Sequence, residues 1–185
     1  MSVKLLFYSN LAFICCSICY LLWWLSAFKP QGAIKGLYSG WLLIPTFLAG
    51  LLAVFLAVKA LGQPQQVLFF SNKQLLITGG LFYLLTVFVT VYFFKRPLTT
   101  ELILIVGWLT LMAVELNQLY AITGFSSQAV LFLAIFIFMG GLVSLICYLQ
   151  YYHLGIWASY IAGMIPLLIV LLVAIVMNLL LYQLK

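Results

Sequence analysis

Glu115 is the residue in this sequence best suited to carry chemistry, because it is an acid inside an apolar segment. The chain of 185 residues has only two acidic residues, and the segment around this one runs from Met112 to Gln118. A charge at the centre of a membrane helix costs about 2.5–3.5 kcal/mol on insertion scales. The carboxyl therefore either binds a substrate, cation or proton, or stays neutral and hydrogen-bonded as a lock between two helices.

Helical geometry places further side chains beside Glu115. At 100° per residue, Trp108 and Met112 fall on the same stripe as Glu115, and Gln118 lies at its edge. Asn178, a polar residue in the last apolar segment, is a suitable partner for the carboxyl. The pattern predicts a substrate-binding site formed by Glu115, Trp108, Gln118 and Asn178, in the bundle interior or in a hydrated cavity.

Glu101, the second acid, does not form a catalytic pair with Glu115. At 1.5 Å per residue the two lie about 21 Å apart along one helix, which excludes the paired carboxyls of glycosidases. Glu101 begins the predicted helix and follows Lys95 and Arg96 closely. We expect the helix dipole and these cations to stabilise it.

The cysteines and the single histidine do not predict a metal or redox centre. Cys16 and Cys19 have the C-x-x-C spacing of thiol and metal sites, but they lie mid-segment with no charged neighbour to activate a thiol. Cysteine is also a common small residue in packed helices. His153 alone cannot supply the ligands that zinc or haem requires. We therefore expect no catalytic residue, no metal and no cofactor.

Composition restricts the class of protein. Hydrophobic residues make up 68% of the chain and charged residues 5%, which excludes a soluble globular domain and a disordered chain. The net charge of +6 comes from scattered lysines and arginines, without the clustered patch that nucleic acid requires. The lipid bilayer is the expected environment.

Six apolar segments are long enough to cross a lipid bilayer, since a spanning helix needs roughly 20 apolar residues. The predicted helices lie at about 5–26, 41–62, 75–94, 101–123, 128–150 and 157–183. These segments are too long, and too uniformly apolar, for the short alternating strands of a β-barrel. The fold class is therefore an all-α, polytopic membrane protein with a single transmembrane domain over residues 1–185.

A sequence echo raises the hypothesis of three helical hairpins of like orientation. The end of the first segment matches the end of the fifth around Cys19 and Cys147. A glycine and then a proline follow in each next helix, as Gly-x-x-x-x-Pro ending at Pro45 and as Gly-x-x-Pro ending at Pro166. If the repeat is real, helices 1–2 superpose on helices 5–6. Prolines inside helices also kink or unwind them, as at transporter sites.

The distribution of lysine and arginine does not set the orientation of the chain in the membrane, because four cations fall on each side. An even number of helices puts both termini on one side. A short first tail carrying Lys4 favours cytoplasmic termini, and we expect the plasma membrane as the location.

The leading functional hypothesis is an integral membrane transporter, or a substrate-binding membrane subunit, for a small solute that is cationic or aromatic. Its site would lie near Glu115 and Trp108. The alternative is a non-catalytic accessory or assembly subunit with a membrane-protein partner. An enzyme is the less favoured third hypothesis, because the chain has no phosphate-binding loop, dinucleotide glycine pattern or metal cluster.

Overall fold

The computed structural model describes residues 2–27, 38–60, 71–95, 100–123, 126–151 and 153–183. Within these ranges the chain forms seven helices joined by turns, and they contain no strand. The helices are α1 (Ser2–Ala27), α2 (Tyr38–Trp41), α3 (Leu43–Ala60), α4 (Asn72–Tyr92), α5 (Thr100–Thr123), α6 (Ser127–Gln150) and α7 (Ile156–Gln183).

All helices except α2 are long and apolar enough to cross a membrane. The six-helix prediction is therefore confirmed, and each predicted boundary lies within three residues of the observed one. The agreement follows from the physics of the spans, because their length is set by bilayer thickness and their composition by the lipid environment.

The short helix α2 was not predicted as a separate element. Pro45 lies inside a helix as predicted, in the first turn of α3, two residues after that helix begins. A proline ring clashes with the carbonyl four residues earlier, which here belongs to Trp41, the last residue of α2. The backbone N–H and hydroxyl of Thr46 both donate to the Leu42 carbonyl, at 3.3 and 2.6 Å.

Pro166 lies within α7, ten residues after that helix begins, and the helix continues through it. The two prolines therefore occupy different positions within their helices. The helix pair α6 and α7 is divided between two compact units of the chain. The superposition of helices 1–2 on helices 5–6 stays a prediction.

The first unit comprises residues 1–63 and 150–185 and contains α1, α2, α3 and α7. Helix α1 contacts both α3 and α7. On α3, the buried residues are the small ones, Ala53, Ala57 and Ala60, which permit the close backbone approach typical of membrane helices. The hydroxyl of Ser9 in α1 crosses this interface and donates to the Ala53 carbonyl at 2.7 Å.

Helices α1 and α7 run antiparallel. At one end the rings of Phe7 and Tyr182 lie 6.2 Å apart, and at the other end the Trp24 indole Nε1–H donates to the Tyr160 carbonyl at 3.4 Å. The amino end of α1 therefore lies beside the carboxyl end of α7, as expected for an even number of spans. The assignment of that side to the cytoplasm stays a prediction.

The second unit, residues 64–149, contains α4, α5 and α6. Its apolar cluster has Leu102, Ile105 and Val106 of α5 at the centre, together with Tyr148 of α6. Tyr83 and Val87 of α4, with Leu109, Leu145 and Leu149, pack against this cluster. Helix α5 therefore contributes the common core of the unit.

Candidate functional site

Helix α5 positions the candidate site because it is the most enclosed span. Of the residues in its most apolar 18-residue stretch, 56% are buried, compared with 6% in the corresponding stretch of α4. Glu115 lies in this enclosed part, eight residues before the end of α5, which is about 12 Å along the helix axis. Its side chain is 0% exposed. The carboxyl is therefore removed from lipid and solvent alike.

Trp108 and Gln118 are buried on the same helix, at 2% and 0% exposure, and Met112 is fully buried between them. Helical rise separates Trp108 from Glu115 by about 10 Å along the axis. Three of the four residues predicted for the site thus lie enclosed on one helix, although their binding of a solute stays a prediction.

The stripe carrying Glu115 differs from the face of α5 that forms the apolar cluster. The cluster uses Leu102, Ile105 and Val106. At 100° per residue, Trp108 and Glu115 fall beside these positions on an adjoining stripe. An acid and an indole are consequently buried on a surface of α5 other than the apolar face that holds the second unit together.

Asn178, the fourth predicted residue, lies in α7 and is half-buried. Its Oδ1 atom is shielded from solvent and accepts no hydrogen bond from the part of the chain that the structure describes. Asn178 belongs to the first unit and Glu115 to the second. Their pairing therefore stays a prediction.

Asn117 is a buried polar residue that the sequence analysis did not assign to any role. Its Nδ2 donates to Oδ1 of Asn72 at 2.7 Å, and this bond connects α5 to the first turn of α4. The same end of α4 is fixed by a capping box between Ser71 and Gln74. The signal in the sequence was the presence of three polar residues within positions 115–118, but the partner of Asn117 lies on another helix.

Breaking the Asn117–Asn72 bond should weaken the contact between α4 and α5. Replacing Asn117 with alanine leaves the Asn72 amide without this partner, and interhelical hydrogen bonds in membranes average about 0.6 kcal/mol, with about 1.7 at most. We expect a loss within that range in the free energy of unfolding, measured by denaturant titration in micelles. Asn72→Ala and the double variant complete a mutant cycle, and strictly additive losses would contradict the bond.

The other residues that could do chemistry lie in different surroundings. Cys16 is buried on α1, where a β-carbon built on Gly50 would lie 3.4 Å from its sulfur, an ordinary packing distance. His153 is exposed in the turn after α6. Among the residues that the structure describes, no three His, Cys, Asp or Glu side chains come together to hold a metal. The predicted environment of Glu101, beside Arg96, lies outside the described side chains.

The fold defines the class: six apolar helices make this an integral, multi-pass membrane protein whose outer surfaces contact lipid. Its distinguishing feature is a carboxyl, an amide and an indole buried on one helix. No protein-family model matches the chain, and no curated protein or solved structure matches it either. These buried side chains are therefore the features that bear on function.

Proposed function

We propose that this protein is a membrane transporter, or a substrate-binding membrane subunit, for a small solute, and that its site surrounds Glu115. The observation that carries the proposal is the complete burial of that carboxyl within a membrane span. Ionisable groups at such a position are costly, and they mark substrate, ion or proton pathways in membrane proteins.

The neighbouring side chains favour a cationic or aromatic solute. An ionised carboxylate in a low-dielectric interior is stabilised by an opposite charge, which a cationic nitrogen supplies. A buried indole such as Trp108, about 10 Å further along the same helix, stacks with aromatic rings. The Gln118 amide adds both a donor and an acceptor of hydrogen bonds.

Exchange of solute at this site requires motion of α5. Trp108, Glu115 and Gln118 are each at most 2% exposed, so a solute cannot reach them from water in this conformation. The site would open when α5 separates from the elements that cover it, as rocking of helix groups does in alternating access.

We propose that the protein lies in the plasma membrane with cytoplasmic termini.

The second candidate is an accessory or assembly subunit of a membrane complex. The bonds from Asn117 to Asn72 and from Ser9 to the Ala53 carbonyl favour it, because both use polar side chains to hold helices together. In that case Glu115 is a further structural contact, and the protein binds a membrane-protein partner in place of a solute.

A thermal-shift screen of the purified protein distinguishes the two candidates. Vitamins, amines, metal ions and quinones are tested as separate classes. A solute at 100 times its Kd adds about 2.7 kcal/mol to the stability of the folded state, which is an easily measured increase in Tm. We expect amines to give that increase. A flat response across all four classes would favour the accessory subunit.

A further inference from the structure

The indole N–H of Trp108 needs a hydrogen-bond acceptor, and this need is separate from the burial of Glu115. Its Nε1–H is shielded from solvent, and it has no hydrogen-bond partner among the residues that the structure describes. The residue is 2% exposed and lies eight residues after the start of α5, about 12 Å into the helix. It is thus too deep for the usual interfacial position, where the indole N–H of tryptophan meets water and headgroups.

A buried N–H without an acceptor is costly. Leaving such a donor unsatisfied forfeits the free energy of its lost hydration, and membrane interiors offer no water to restore it. A tryptophan at this position is therefore best explained by an acceptor that arrives from outside the chain. Phenylalanine would fill a similar apolar volume without that cost.

We infer that Trp108 donates a hydrogen bond to the bound solute, and that the solute is an elongated amine carrying a hydrogen-bond acceptor about 10 Å from its cationic nitrogen. The spacing is the rise along α5 between Trp108 and Glu115, which lie on one stripe seven residues apart. This inference rests on the proposed function, because it assigns the cation to Glu115 and the acceptor to Trp108.

The geometry selects one class of solute over shorter ones. A small amine reaches the carboxyl but leaves the indole N–H unsatisfied. An amine with a carbonyl or ether oxygen at the far end of a chain satisfies both groups at once. Affinity should therefore rise when the acceptor reaches the correct distance and fall again for longer chains.

Two series of probes test the inference on the full-length protein in nanodiscs. One series consists of linear alkylamines of four to twelve carbons, and the other of ω-amino carboxamides of matched length. Binding is measured by calorimetry and thermal shift. We expect the best carboxamide to bind about 2- to 12-fold more tightly than the matched alkylamine, the gain typical of one hydrogen bond.

The variant Trp108→Phe removes the N–H and keeps an aromatic ring. It should abolish the advantage of the carboxamides while the alkylamines keep their affinity. Trp157→Phe is the matched control, because Trp157 is 62% exposed on α7 and should leave both series unchanged. A change in fold that follows from loss of the indole would weaken both series equally, so the difference between the series is the informative measurement.

Failure of this inference and failure of the proposed function give different results. If the alkylamines bind but the carboxamides gain nothing, or keep their gain in Trp108→Phe, then Trp108 does not donate to the solute while the site around Glu115 stands. If neither series binds, both this inference and the proposed binding of amines at Glu115 are wrong.

Discussion

Replacing Gly163 with alanine should destabilise the first unit, although alanine is a better helix former than glycine. A β-carbon at position 163 would overlap the indole ring of Trp24, which packs directly on the Gly163 backbone. Overpacking of this kind typically costs about 1–3 kcal/mol. The gain in helix propensity is roughly 0.5–1 kcal/mol and does not compensate for it. Because the overlap is with a ring, we expect an overpacking cost of about 2–3 kcal/mol and a net loss of about 1–2.5 kcal/mol.

Trp24 cannot easily move away from the added methyl group. Its side chain is 3% exposed, its ring lies 5.8 Å from that of Tyr151 in an edge-to-face arrangement, and its Nε1–H donates to the Tyr160 carbonyl. The hydroxyl of Tyr160 in turn donates to the Leu25 carbonyl at 3.5 Å. Moving the indole would therefore disturb its bond to Tyr160 of α7 and its ring contact with Tyr151, which follows α6.

Denaturant titration in micelles measures the effect, with Gly80→Ala as the matched control. Gly80 is also inside a helix, but a β-carbon there meets nothing within 4 Å, so that variant should hold or gain stability. Trp24→Leu should remove most of the cost of Gly163→Ala when the two are combined, because the overlap is gone. Equal effects of Gly163→Ala and Gly80→Ala would show that the contact with Trp24 is unimportant.

The transmembrane helices could be predicted from sequence because the bilayer sets both their length and their composition. The break at Leu42 was missed for a local reason. Helix α2 has only four residues, and a window of about 20 residues averages such an element into the following span. Pro45 did contain a signal, since a proline clashes with the carbonyl four residues earlier and can break a helix there, and that carbonyl belongs to Trp41.

The candidate site was predictable only in part. Burial of Glu115 follows from energetic cost alone, because a carboxyl on a lipid-facing surface would be too expensive to retain. Its stripe with Trp108 follows from helical periodicity. The partner of Asn117 did not follow from either argument. Asn72 lies 45 residues earlier in the chain, and only the packing of α4 against α5 brings the two amides together.

Replacing Glu115 with glutamine should weaken solute binding strongly and leave the fold intact. Glutamine keeps the shape and most of the hydrogen-bonding capacity of the side chain but cannot carry a negative charge. A charge-assisted hydrogen bond contributes about 1.5–3 kcal/mol, so a cationic solute should bind about 10- to 100-fold more weakly. Binding is measured with the amines that raise the Tm of the unmodified protein, and uptake is measured in proteoliposomes.

Glu101→Gln is the matched control, because it removes the only other carboxyl side chain in the sequence, from the first turn of the same helix. It should leave amine binding unchanged and lower stability only by the helix-dipole contribution of about 0.3–1 kcal/mol. If Glu115→Gln behaves in the same way, then the carboxyl of Glu115 is neutral and structural, and the accessory-subunit hypothesis gains. The two functional candidates thus make opposite predictions for a substitution that barely changes the volume of the side chain.

Glu115→Leu separates a structural contribution from a binding one. Leucine removes every polar atom from a side chain that is 0% exposed, so any group bonded to the carboxyl loses its partner at a cost of about 1–3 kcal/mol. If the Glu115 carboxyl is a neutral structural contact between helices, Glu115→Leu should lower the free energy of unfolding while Glu115→Gln does not. If Glu115 binds a solute, Glu115→Gln alone should already weaken that binding about 10- to 100-fold. A protein in which both variants keep stability and amine affinity would contradict the assignment of Glu115 to either role.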